Sequence, residues 1–91
     1  MKNLKAAPGV RYAGTQDGAM LLDLSSGRFF GLNPTAAAIW RFLGQGISPE
    51  DTATRLAEEL GVPVKRLLQD VRSLSAALCE RGLLHEQEAA P

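Results

Sequence analysis

A change of hydrophobic period at Asn33-Pro34 constrains this chain more than any other feature. Upstream of it, turn signals cut the chain into three short extended runs. Val10 to Gly14 is the first, and Thr15-Gln16-Asp17-Gly18 closes it with Asp-Gly, a strong hairpin signal. Ala19 to Leu24 is the second, with Met20, Leu22 and Leu24 sharing one face. Ser25-Ser26-Gly27 turns the chain again, and Arg28 to Leu32 is the third. Connections this short leave room only for antiparallel neighbours, so the three runs predict a meander.

Downstream the period is 3.6. Asn33 is placed to cap a helix, and Pro34 takes the first helical position, where a missing N–H costs nothing. Ala36, Ile39, Trp40 and Leu43 form the apolar stripe of this helix, with Trp40 as its largest core residue. Ser48-Pro49-Glu50-Asp51 starts a second helix, whose stripe is Ala53, Leu56, Ala57 and Leu60, and Gly61 ends it. Pro63 opens a third helix that runs to about Arg81 before Gly82, with Val64, Leu67, Leu68, Val71, Leu74 and Leu78 as its stripe. Leu83-Leu84 is expected to fold back on the core. The predicted class is α+β and winged-helix-like, a three-stranded antiparallel sheet followed by three helices in the order β-β-β-α-α-α. Residues 1–9 read as a flexible N-terminal arm, 10–84 as the folded domain, and 85–91 as a disordered tail.

A chain of 91 residues makes one domain, and a domain this small buries only about 60–65% of the surface its unfolded form exposes. The thin core leaves little room for a deep catalytic cavity. Catalytic side chains are also sparse. His85 is the one histidine and falls in the predicted tail, and Cys79 is the one cysteine, on the flank of the third helix. A Cys79/His85 nucleophilic pair would need the tail to fold over the thiol. Glu50-Asp51 suits a helix start, and Glu58-Glu59 a solvated face. No glycine-rich phosphate loop is present. The chain is expected not to be an enzyme and to need neither cofactor nor metal. With a single cysteine, no signal peptide and no run approaching the roughly 18 apolar residues of a membrane span, a cytoplasmic location is expected.

Two binding functions compete. Ser48 to Leu84 reads as a helix-turn-helix, with Lys65 and Arg66 near the start of a recognition helix. Against nucleic acid stand equal numbers of basic and acidic residues, ten of each, and Asp70 and Glu80 on that same helix. A wing would also normally follow the recognition helix, whereas here the predicted strands all precede it. The meander suggests instead an extended peptide, because an uncovered edge strand offers unpaired N–H and C=O groups to a partner strand. Arg28-Phe29-Phe30-Gly31-Leu32 suits this. One phenylalanine faces the core and the other faces away, while Gly31 permits close backbone approach. An adaptor that self-associates through the same edge is a third reading.

The segment Leu21-Leu22-Asp23-Leu24-Ser25-Ser26-Gly27-Arg28-Phe29-Phe30-Gly31-Leu32-Asn33-Pro34-Thr35-Ala36-Ala37-Ala38-Ile39-Trp40 resembles the PqqD-like family. So do Asp70-Val71, Leu74, Leu78 and Gly82-Leu83-Leu84. These proteins are recognition elements for the precursors of ribosomally made, post-translationally modified peptides, and the pattern here is most similar to stand-alone members from lasso-peptide pathways. The resemblance implies a leader peptide added as a strand between the third extended run and the third helix. Carried onto this chain, it implies peptide-binding roles for Arg28, Phe29, Phe30, Gly31, Leu32, Leu67, Asp70, Val71, Leu74 and Leu78. It also implies as partner a separate cysteine protease that removes the leader, or another modifying enzyme. The balanced charge and the lack of a basic amphipathic segment lead us to expect no nucleic acid or membrane as partner. Asp70 has two readings, a partner for a leader N–H or basic side chain, and a surface ion pair with Arg66 four residues earlier.

Overall fold

The computed structural model describes residues 2–88. It contains, in chain order, β1 (Lys2–Ala6), β2 (Val10–Thr15), β3 (Gly18–Asp23), β4 (Arg28–Leu32), α1 (Pro34–Gly44), α2 (Pro49–Leu60), α3 (Val64–Glu80) and β5 (Leu84–Glu88). Strands β2, β3 and β4 form the expected antiparallel meander with β3 in the centre. Alternation along β3 turns Ala19 and Leu21 into the core and Met20 outward, while Phe30 and Leu32 stand opposite them on β4. Helices α1 and α2 start where their capping signals lie, while α3 begins after Pro63 without a side-chain cap. Asn33 Oδ1 accepts the Ala36 N–H at 2.8 Å and Ser48 Oγ accepts the Asp51 N–H at 3.1 Å. Gly61 ends α2 in the left-handed region at φ 69°.

The helices cover one face of the sheet. Ile39, Trp40 and Leu43 of α1, Leu56 of α2, and Leu67, Val71 and Leu78 of α3 join Leu21 in one core. Leu83 and Leu84 return to that core after Gly82, as the sequence predicts. No helix is long and apolar enough to cross a membrane among the described residues.

The chain ends differ from the sequence reading. In place of a flexible arm over 1–9 and a disordered tail over 85–91, Lys2–Ala6 pairs antiparallel with Leu84–Glu88. Ala7 N–H extends the pairing to the Leu83 carbonyl at 3.0 Å. Leu4, Ala7 and Leu84 are buried, so the ribbon is fastened by apolar contact as well as by its ladder. Neither run reads as a strand alone, because each needs a partner at the opposite end of the chain. Met1 and residues 89–91 lie outside the described residues.

Two local devices set the position of β4. Gly18, at φ +141°, lies against the chain leaving β4. A Cβ there would overlap the Leu32 carbonyl oxygen and stand 2.9 Å from the Asn33 carbonyl carbon. At the other end, the β3–β4 turn closes on Asp23. Its Oδ1 accepts from Ser25 N–H at 3.1 Å and Ser25 Oγ at 2.7 Å, and its Oδ2 from Ser26 Oγ at 2.9 Å. The hydroxyl bonds from Ser25 and then Ser26 hold the Asp23 carboxyl below its ordinary value.

Gly18→Ala is therefore expected to lower stability by about 2 kcal/mol or more, whereas Gly14→Ala, which meets open space, shifts it by no more than about 0.5 kcal/mol. Denaturant melts of the two variants decide this, and equal losses would refute the close approach. The Asp23 turn carries a sign in pH. Because its folded pKa is depressed, the stabilisation is complete above the ordinary value of 3.8 and is lost as pH falls below it. The gap in denaturation midpoint between the protein and Asp23→Ala should stay constant near neutrality and close in acid. A gap that persists in strong acid would show that the carboxylate charge contributes nothing.

Candidate functional site

Strand β4 pairs with β3 on one side only, so its other edge retains unpaired backbone groups. Helix α3 runs beside that edge in the opposite direction, and little direct packing joins the two elements. Two hollows mark the ends of the resulting cleft. One, of about 460 Å³, lies between the start of β4 and the last turns of α3, lined by Asp23, Ser26, Arg28, Phe29, Phe30, Ala77, Glu80, Arg81 and Leu83. The other, also about 460 Å³, lies beyond the end of β4, lined by Asn33, Thr35, Ala36, Ile39, Asp70, Ser73 and Leu74.

The α3 wall is one helical stripe. Asp70, Ser73, Leu74, Ala77, Glu80 and Arg81 follow the three- and four-residue spacing that keeps side chains on one face. Ser73 and Ala77 stand in its middle, where small side chains leave the cleft open. Larger and charged groups stand at its ends. On the opposite wall Phe30 is half-buried against the core, and the Arg81 guanidinium lies over its ring, 5.0 Å from the centroid. Phe29 faces away from the core and is 64% exposed, which resolves the phenylalanine alternation expected from the sequence.

The residues singled out in the sequence divide into two groups. Arg28, Phe29 and Phe30 line the first hollow, Asp70 and Leu74 line the second, and Gly31 is exposed with open space above its α-carbon. Leu32, Leu67, Val71 and Leu78 are instead in the core, each 5% exposed or less. Their side chains do not face the cleft, because the core stripe and the cleft stripe of α3 are neighbours displaced by one position around the helix. Sequence reasoning missed Ser73, Ala77, Glu80 and Arg81. Their signal was a second stripe beside the apolar one, with small residues where a ligand backbone would approach.

The nucleophilic candidates lie elsewhere. Cys79 borders a separate hollow of about 290 Å³ with Leu4, Pro49, Arg72, Ser75, Ala76 and Glu86. Burial first, and then the Glu86 charge, push its thiol upward from 9.0, so at neutral pH it is protonated and a poor nucleophile. His85 sits in the ribbon, opposite Lys5.

No curated protein matches the chain. Two solved structures closely resemble it. One, described as "Lasso peptide synthetase B1 complexed with the leader peptide", superposes with a TM-score of 0.83 at 35% identity, covering 91% of this chain and 98% of that one. Another, "TbiB1 in Complex with the TbiA(beta) Leader Peptide", gives a TM-score of 0.81 at 31% identity, covering 89% of this chain and 94% of that one. The family model described as coenzyme PQQ synthesis protein D matches residues 18–84. With the family model spanning residues 18–84 and a solved relative 35% identical over 91% of the chain, the chain belongs to the PqqD family.

Proposed function

We propose that this protein is a stand-alone, non-catalytic recognition element that binds the leader of a ribosomally made precursor peptide and delivers it to a leader peptidase or other modifying enzyme of a lasso-type pathway. The observation that carries this reading is the open β4 edge facing the Ser73/Ala77 wall of α3. A strand laid there completes the β4 ladder, which supplies affinity with little dependence on sequence. The hollows at the two ends receive alternate side chains, which supplies selectivity. The solved relatives are complexes with leader peptides, and this supports the same class of ligand here. Arg28, Phe29, Phe30, Gly31, Asp70 and Leu74 are assigned to the peptide, joined by Ser73, Ala77 and Arg81.

The helix-turn-helix reading gains one observation. The β1–β5 ribbon sets a strand after α3, where a wing belongs, so strand order no longer argues against DNA. Charge still opposes it, since acidic and basic residues are equal in number and Asp70 and Glu80 lie on α3, which would have to serve as the recognition helix.

A fluorescein-labelled leader peptide from the precursor gene adjacent to this one, titrated by polarisation, separates the two readings. Saturable binding is expected. Ser73→Arg, an exposed position that fills the cleft without touching the core, should weaken it at least about tenfold, or about 1.4 kcal/mol. Amide exchange should slow along β4 and not along β2. Salt-sensitive binding of duplex DNA with no binding of the leader would overturn the proposal.

A further inference from the structure

The two ends of the cleft differ in charge. At the Asp70 end, the other lining residues Asn33, Thr35, Ala36, Ile39, Ser73 and Leu74 carry no charge, so one exposed carboxylate dominates. At the other end Arg28 and Arg81 both line the hollow, and among the described residues neither guanidinium is joined to a carboxylate. The Arg81 guanidinium carbon lies over the Phe30 ring, 5.0 Å from its centroid, which sets this arginine beside the start of β4. Two acids share that hollow, Asp23, whose carboxylate accepts three bonds from Ser25 and Ser26, and Glu80, exposed like Arg28 and Arg81, so the hollow's formal charge balances where the Asp70 end is net negative.

Resting on the leader-binding reading, we infer that Asp70 and Arg81 are specificity-determining residues that read a pair of opposite charges in the bound peptide, a cation at the Asp70 end and a carboxylate at the Arg81 end. The helix fixes the spacing. Eleven residues separate the two positions, about 16 Å at 1.5 Å per residue. A strand covers that in about five residues at 3.3 Å each. Side chains on one face of a strand recur every second residue, so the peptide charges lie about four or six positions apart. Direction follows too. Strand β4 runs from the Arg81 end to the Asp70 end, so an antiparallel addition places the basic residue before the acidic one. Charge at the ends thus sets register and polarity, which backbone pairing alone leaves open.

The test uses the full chain, immobilised, to select from a phage-displayed library of random 15-residue peptides, beside Arg81→Glu, Arg81→Gln and Asp70→Lys. All three substitutions fall at exposed positions, and circular dichroism confirms the fold. The wild type should enrich peptides with a basic residue four or six positions before an acidic one by about two- to fivefold, as befits partly exposed ion pairs. Arg81→Glu should invert the preference at the acidic position alone, Arg81→Gln should abolish it, and Asp70→Lys should invert the basic position alone. Peptides enriched without the charge pair, or with preferences unmoved by the reversals, overturn the charge reading and leave strand binding intact. No enrichment over an unrelated domain would overturn the leader-binding reading and this inference with it.

Discussion

The contact of Gly18 with the Leu32–Asn33 backbone is the constraint on which the remaining geometry depends. Chain leaving β4 passes so close to the start of β3 that only a hydrogen fits between them. This fixes the end of β4, and Asn33, one residue later, caps α1. The helix therefore leaves the sheet from a defined point and lays Ile39, Trp40 and Leu43 on the core face of β3. Helices α2 and α3 then pack around α1, which brings α3 alongside the one edge of β4 that no strand occupies. An unpaired edge is ordinarily a liability in a small domain. Here it is set opposite a helix whose facing stripe carries the small Ser73 and Ala77 between charged ends, so the edge stays open yet sheltered.

The terminal ribbon solves a different problem. A thin core cannot cover both layers, and α3 would end on exposed Leu83 and Leu84. Pairing Leu84–Glu88 with Lys2–Ala6 buries Leu4, Leu83 and Leu84 together and ties the two ends of the chain to each other. It also anchors the last turn of α3, from which Arg81 reaches over Phe30. The wall of the cleft is thus supported from outside the segment that forms it. Fold and cleft share these parts, while Cys79 and Glu86 face a separate hollow on the ribbon side.

Much of this was legible in the amino-acid sequence, and for local reasons. Turns at Asp17-Gly18 and Ser25-Ser26-Gly27, caps at Asn33 and Ser48, and stops at Gly61 and Gly82 act within a few residues of themselves, so they can be read without knowing what packs where. The strand Arg28–Leu32, the three helices and most of the buried face of each followed from these signals and from periodicity. Leu60 and Val64, at the facing ends of α2 and α3, were read into the apolar stripes but are 48% and 45% exposed. The edge character of β4 was also accessible, since a three-stranded meander must have two edges.

Three things required the tertiary structure. The β1–β5 ribbon pairs residues about eighty positions apart in a chain of 91, and two short polar runs carry no local sign of one another. The division of α3 between core and cleft turned on a rotation of one position about its axis. Leu67, Val71 and Leu78 already stood on the apolar stripe read from the sequence, but their separation from a cleft stripe of Ser73, Ala77 and Arg81 emerged only once neighbouring elements had claimed the apolar face. The charge at each end of the cleft depended on which hydrogen bonds Asp23 had already accepted and on which ring Arg81 had found. By itself the sequence determined the central meander and the three helices, their order and most of their buried positions, because backbone sterics and hydrophobic period act locally. Packing decided which surface was left open, because the space between β4 and α3 belongs to neither segment and exists only once both have been placed on the shared core.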